Sequence, residues 1–179
     1  MATYGDSYCG IYCGACSILR HGETGRGDEF TGCLSSVPRE GLACGGCKSE
    51  ALYPGCHACA IRECAVGKGV EHCADCSEYP CRTYRNWRFV GRILPHLRET
   101  TTNVEAIRRG GADVWLAEQE KRWSCPKCGA RFSWYAARCS SCGRDLSAEA
   151  HALSGIGRLL CRWLLPLSYR KGKASMPRR

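Results

Sequence analysis

Between Cys56 and Cys81 the chain reads CHACAIRECAVGKGVEHCADCSEYPC, and one spacing occurs in it twice. Cys56, Cys59 and Cys64 form CxxCxxxxC, and Cys73, Cys76 and Cys81 repeat it. Two thiols separated by two residues can turn back toward one point, and four thiolates about a point make a tetrahedral metal site. Each half therefore supplies three ligands and needs a fourth. The preceding segments hold the candidates: Cys9, Cys13 and Cys16 in YCGIYCGACSIL, and Cys44 and Cys47 in LACGGCKSE.

The rest of the composition fits metal better than cross-links. The chain has 179 residues and 17 cysteines, a density also found in disulfide scaffolds of oxidising compartments. Its first residues, MATYGDSYCG, show neither a basic stretch nor an apolar one, so secretion is not indicated. The cysteines also fall in close pairs. A reduced, cytoplasmic metal-binding protein is the expectation. His57 and His72 each adjoin a cysteine and are read as supporting or exposed residues, because thiols are abundant.

Ordinary core is scarce in this region. Of the first 81 residues, 17 are Ile, Leu, Val, Met, Phe, Trp or Tyr, while 13 are glycine. Ordering each residue costs about 1–2 kcal/mol of backbone entropy, which so few large apolar side chains do not offset alone. A structural zinc contributes about 10–16 kcal/mol in small peptides, so bound metal would change that balance. The fold class expected is a small metal-stabilised, mostly α and loop cysteine-rich domain, followed by helices and a β zinc ribbon. Its boundaries are drawn at 1–84 for the cysteine-rich domain, 85–122 for a helical connector, 123–146 for the ribbon and 147–179 for an amphipathic basic tail.

The motifs CGIYCGAC, CGGC and IRECAVGKGVEHCADCSEYPC resemble those of an uncharacterised family of cysteine-rich prokaryotic proteins, a domain of unknown function whose members often carry a C-terminal zinc ribbon. The resemblance runs from Tyr8 to about Tyr84 and resumes further on. Its recurring cysteines match each of those up to Cys81 except Cys33, and it implies no agreed activity. The CxxxCxxC of Cys9, Cys13 and Cys16 also occurs in radical S-adenosylmethionine enzymes. Those require a long barrel of strands and helices for which this chain has neither length nor pattern.

Beyond Cys81 the texture changes. RTYRNWRFVGRILPHL sets Tyr84, Trp87, Val90 or Gly91, and Leu94 at helical spacing, with Arg82, Arg85, Arg88 and Arg92 on other faces and Pro95 as a stop. TTTNVEAIRRGG reads as a cap, a helix and a glycine stop, and ADVWLAEQEKRW as a second helix with Val114, Leu116 or Ala117, and Lys121 marking its faces. SCPKCGARFSWYAARCSSCGRDL then brings Cys125, Cys128, Cys139 and Cys142, each pair followed by glycine. Phe132, Trp134 and Tyr135 suggest a hairpin strand between the pairs. Four thiolates leave no open coordination position, which makes the site structural and zinc its expected occupant. Rubredoxin-type knuckles hold iron with similar pairs. For the N-terminal cysteines, zinc or an iron–sulfur cluster is expected.

Charge is divided unevenly. Up to Cys81 there are 6 Lys and Arg against 10 Asp and Glu, and beyond it 20 against 7, within a net charge of +9. An acidic partner, nucleic acid or an anionic membrane surface, would meet the C-terminal half. The tail HALSGIGRLLCRWLLPLSYRKGKASMPRR places Leu153, Ile156, Leu160, Trp163, Leu164 and Leu167 at helical spacing. It is too short and too charged to span a bilayer. Folding back on its own domain ranks ahead of covering a protein partner or lying on a membrane.

No Ser/His/Asp set, phosphate loop or paired carboxylates stand on a recognisable scaffold, which argues against a hydrolase or transferase. Three function classes are in play: a zinc-stabilised binding or adaptor module, an iron–sulfur electron-transfer or redox protein, and a nucleic-acid-binding protein.

Overall fold

The computed structural model describes residues 5–176, apart from the side chains of Arg88 and Phe89. Arg178 and Arg179 of the basic tail lie outside the described residues, as does the expected placement of Arg88 on a helix face. Among the described residues eight α-helices follow one another: α1 Ser17–Thr24, α2 Glu29–Gly32, α3 Pro54–His57, α4 Ala60–Gly67, α5 Arg82–Trp87, α6 Thr100–Gly110, α7 Ala112–Arg122 and α8 Gly155–Ser175. Short 3-10 turns lie before and between them, two of which, Cys13–Ala15 and Cys73–Asp75, begin at cysteines.

The expected β zinc ribbon is corrected. Among the described residues there is no β-strand over 123–146, and two isolated antiparallel bridges, Ser124 with Arg131 and Arg138 with Asp145, take its place. A half-exposed hairpin strand needs alternate residues on opposite faces. Here Phe132, Ser133, Trp134 and Tyr135 are all buried in succession, and the Trp134 amide donates to the carbonyl of Ala15, 2.9 Å away, instead of to a partner strand. The residues between the cysteine pairs are spent on docking against the rest of the protein, so the pairs remain two separate turns.

That docking completes the core. The cysteine-rich stretch is poor in large apolar groups, and aromatic residues from beyond Cys81 fill the deficit. Trp115 and Trp123, each only 1% exposed, sit in one buried cluster with Tyr12, Phe30, Leu34, Tyr84, Val104 and Leu146. Tyr12 meets Trp115 edge-on at 6.3 Å between ring centroids, and Phe30 stacks on Tyr135 at 5.6 Å. Polar ties run the same way: Asn103 donates to the carbonyl of Gly10, the Tyr84 hydroxyl to that of Cys9, and Arg108 to those of Ala74 and Cys76.

Helices α6 and α7 form where the sequence puts them, with Gly111 at φ 86° between them. The buried face of α7 is Trp115 and Gln119, while Val114 is exposed. The arginine-and-aromatic stretch is less regular than expected, since α5 ends at Trp87 and gives way to 3-10 turns over Arg88–Arg92 and Pro95–Glu99.

Helix α8 lies against α3, which carries Cys56. Contact is close because α8 offers small residues there. A Cβ on Gly172 would overlap the Pro54 carbonyl, so only glycine allows this approach. Tyr169 packs on Tyr53, and Cys161 is buried beneath the helix. The tail thus folds back on its own protein. The face it uses is not the Ile156–Leu167 stripe, which is exposed, and Leu153 is buried ahead of the helix.

Candidate metal centres

The four C-terminal cysteines converge. The sulfurs of Cys125, Cys128, Cys139 and Cys142 all lie within 4.8 Å of one another. Cys125 and Cys142 are 3.7 Å apart and Cys128 and Cys139 3.6 Å. Each pair is wound into a tight turn by a following glycine with positive φ, 72° at Gly129 and 71° at Gly143, a conformation other residues adopt only with strain. The Gly129 amide donates to the Cys125 carbonyl and the Gly143 amide to that of Cys139.

The electrostatics favour thiolate at one corner. Burial alone would raise the Cys139 thiol, but the amides of Cys142 and Ser141 point at its sulfur and bring it down to about 6. The Ala130 amide likewise favours a Cys128 thiolate, yet the neighbouring sulfurs outweigh it and push that thiol up to about 12. Crowded sulfurs sharing protons are the donor set a soft divalent cation replaces those protons to bind. A cluster of this kind can hold a metal ion. Among the described residues no other group of three or more Cys, His, Asp or Glu ligand atoms closes to this spacing.

The N-terminal cysteines are sorted differently from the doubled spacing. Cys64, Cys73, Cys76 and Cys81 line one small cavity together with Ile61, Ala65 and Tyr84. Burial first, then repulsion from Cys81, Cys76, Cys64 and, least, Cys59, pushes the Cys73 thiol up to about 12. Cys56 and Cys59 also neighbour a second group of thiols. The Cys56 thiol is raised by burial and by Cys16, Cys44, Cys47 and Cys59, and Cys9 by burial, Cys47 and Cys59. Cys13 is raised by burial and by Cys47, Cys16 and Cys9, and Cys16, beside Cys44, is pushed up to about 12 chiefly by burial.

Seven thiols, Cys9, Cys13, Cys16, Cys44, Cys47, Cys56 and Cys59, therefore share one region, and Cys64 belongs with the second half of the repeat. The reason is α4. It starts after Cys59 and carries Cys64, and a helical rise of about 1.5 Å per residue sets the two about 7–8 Å apart along its axis. No helix separates Cys76 from Cys81, so those thiols can converge.

A charged network ties these segments together. Asp6 is buried, its carboxylate accepting from His72 Nε2 at 2.8 Å and from Lys48 Nζ at 2.6 Å. Lys48 also pairs with Glu71, and the His72 amide donates to Asp75. Burial works to raise the Asp6 carboxyl, but the bonds from His72 and Lys48 outweigh it and hold it below the usual range. Lys48 follows Cys47, His72 precedes Cys73, and the Cys73 amide donates to the Tyr8 carbonyl, next to Cys9. The network thus links three cysteine-bearing segments.

His72, expected to support a site or lie exposed, is buried and bonded to Asp6. Asp6 and Lys48 were not singled out, and the signal available was their position beside cysteines. His57 Nε2 is shut off from solvent without a hydrogen-bond partner. Cys33 is buried, its thiol directed at the carbonyls of Glu29 and Arg158.

Residues 6–86 match the model of a family described as "Protein of unknown function (DUF3795)". The match takes in the N-terminal cysteines and supports an uncharacterised domain there, while the Cys125–Cys142 tetrad lies outside it. No curated protein and no solved structure matches the chain.

Proposed function

We propose that the protein is a zinc-stabilised binding or adaptor module, with one zinc at Cys125, Cys128, Cys139 and Cys142 and further metal on the N-terminal thiols. The observation that carries this is the sulfur spacing of the tetrad. Thiolates bound at about 2.3 Å to a single tetrahedral ion stand about 3.8 Å apart, and the tetrad shows 3.6 and 3.7 Å. A cluster of several irons needs a wider cage. With all four positions taken by protein, such an ion holds the structure and does no chemistry of its own.

In this reading the Asp6–His72 pair, tighter than the contacts His72–Asp75 and His151–Glu99, is structural. Asp6 and His72 are packed with Lys48, and the Ser7 hydroxyl donates to the Ile11 carbonyl, with the Cys9 sulfur 3.6 Å from its oxygen, instead of engaging His72. Among the described residues no hydroxyl or thiol is placed on His72 as a nucleophile would be.

A second reading of the N-terminal end, an iron–sulfur cluster in place of zinc, rests on one observation. Seven thiols share one region there without the close spacing of the tetrad, an arrangement that suits the larger cage of an iron–sulfur cluster. Substituting Cys128→Ser and Cys142→Ser together in the full chain separates the two ends. The proposal expects loss of one zinc equivalent, with the remaining metal unchanged. Unchanged zinc content would overturn it.

A further inference from the structure

Helix α8 has two apolar faces, and the protein uses one. Gly157, Cys161, Tyr169 and Gly172 are buried against the body. Ile156, Leu159, Leu160, Trp163, Leu164 and Leu167 are exposed, Ile156 by 75% and Trp163 by 72%. Their spacing of i, i+3, i+4, i+7, i+8 and i+11 puts all six on one continuous stripe. Single exposed apolar residues are ordinary, whereas a contiguous stripe of this size marks a surface that something covers.

The charges around it say what covers it. Gly155–Ser175 contains Arg158, Arg162, Arg170, Lys171 and Lys173 and no Asp or Glu. Arg158 is engaged by Glu29, while Arg162, Arg170, Lys171 and Lys173 are exposed beside or at the end of the stripe. A helix with a Leu- and Trp-rich face flanked by basic side chains has the makeup of one lying in a membrane interface. The indole suits the headgroup boundary, and the cations suit anionic lipid.

We propose that α8 docks the protein on the surface of an anionic phospholipid bilayer, its axis in the membrane plane and its Gly157–Gly172 face still on the protein. A second copy of the chain fits less well, because face-to-face pairing would bring cationic flanks together with no acid on either helix to offset them. Spanning is excluded for this helix, since no helix among the described residues is long and apolar enough to cross a membrane. Trp163 alone could stack on a base; the other five side chains of the stripe are aliphatic and carry no donor or acceptor for a nucleic acid, so most of the stripe would gain nothing there.

The test is flotation of the purified full chain with vesicles of phosphatidylcholine alone or of phosphatidylcholine mixed with phosphatidylglycerol. Binding to the mixed vesicles is expected, weaker in high salt, with a blue shift of tryptophan emission. Trp163→Ser, at an exposed position, lowers the affinity about tenfold or more and abolishes the blue shift. Arg170→Gln with Lys171→Gln lowers binding to the mixed vesicles. No binding by protein of native circular dichroism and metal content would overturn the proposal, as would binding insensitive to all of these substitutions. A concentration-dependent dimer abolished by Trp163→Ser, without lipid binding, would assign the face to a second copy instead. Capture of an acidic protein through the stripe, again without lipid binding, would also overturn it.

Discussion

His72 Nε2 lies 2.8 Å from Oδ1 of Asp6, and this bond joins the segment before Cys9 to the segment that starts the second cysteine repeat. Asp6 also holds Lys48, one residue beyond Cys47. Asparagine keeps one acceptor oxygen and turns the other into a donor, so either His72 or Lys48 loses its acceptor at residue 6, and the largely buried Lys48 ammonium keeps Glu71 as its only carboxylate partner. Asp6→Asn is expected to destabilise the protein by about 2–3 kcal/mol, measured by denaturant unfolding of the metal-loaded chain. Because the Asp6 carboxyl sits below its usual 3.8, its contribution is present above about pH 4 and is lost as pH falls through the lower folded value. A variant as stable as the parent at pH 7 would show that the network does not hold the segments.

Cys64 is expected to act with Cys73, Cys76 and Cys81, with which it shares a cavity. Cys64→Ser and Cys76→Ser should each cost the same metal equivalent, and the double variant should lose no more than either single one. Residues that share a site are non-additive in this way. Elemental analysis of the four proteins after identical dialysis decides it, and additive losses would place Cys64 elsewhere.

His96 supplies a pH dependence that owes nothing to metal. It is buried between Trp134, on which it stacks at 4.1 Å, and Tyr135. The Tyr135 hydroxyl, kept protonated by burial, shares a 2.8 Å hydrogen bond with Nδ1 of His96. Burial foremost, then the charge of His151, brings the His96 imidazole down to about 3. Between about pH 6.5 and 3 the unfolded chain binds a proton that the folded chain does not, so stability falls as pH falls through that window. At pH 5.5 the loss attributable to His96 is about 1.4 kcal/mol relative to pH 8. Replacing it by His96→Gln should flatten the unfolding profile by that amount, and an unchanged slope would count against a buried neutral imidazole.

Gly172→Ala is expected to push α8 off α3, because the added Cβ meets the Pro54 carbonyl, part of rigid backbone. Overpacking of this kind costs about 1–3 kcal/mol. Limited proteolysis should cut the variant between 147 and 176 first and leave the rest resistant. Equal resistance of both proteins in that segment would contradict the packing.

How much of this could be read from residues alone depended on the range of the interaction. The tetrad at Cys125–Cys142 was legible because its chemistry is local: pairs of thiols two residues apart, each followed by glycine. Helices α6 and α7 were legible from their periodicity and from Gly110 and Gly111 between them. The hairpin expected between the cysteine pairs was not found, because Trp134 and Tyr135 are claimed by Ala15, Phe30 and His96 from far along the chain, while Phe132 packs on Trp123. The same long-range packing hid the true faces of α8. A stripe of Ile156, Leu160, Trp163 and Leu167 reads as the side to bury, yet Gly157 and Gly172 allow a closer approach and win the contact. The separation of Cys59 from Cys64 depended on α4 forming between them, which the repeated spacing alone did not disclose.

The most direct test of the account is anaerobic purification of the full chain, followed by a visible spectrum and metal counting. The account predicts a colourless protein with more than one zinc per chain, one of them lost when Cys128 and Cys142 are replaced by serine. A brown protein with iron and sulfide in place of that zinc, or a folded protein free of metal at the tetrad, would contradict it.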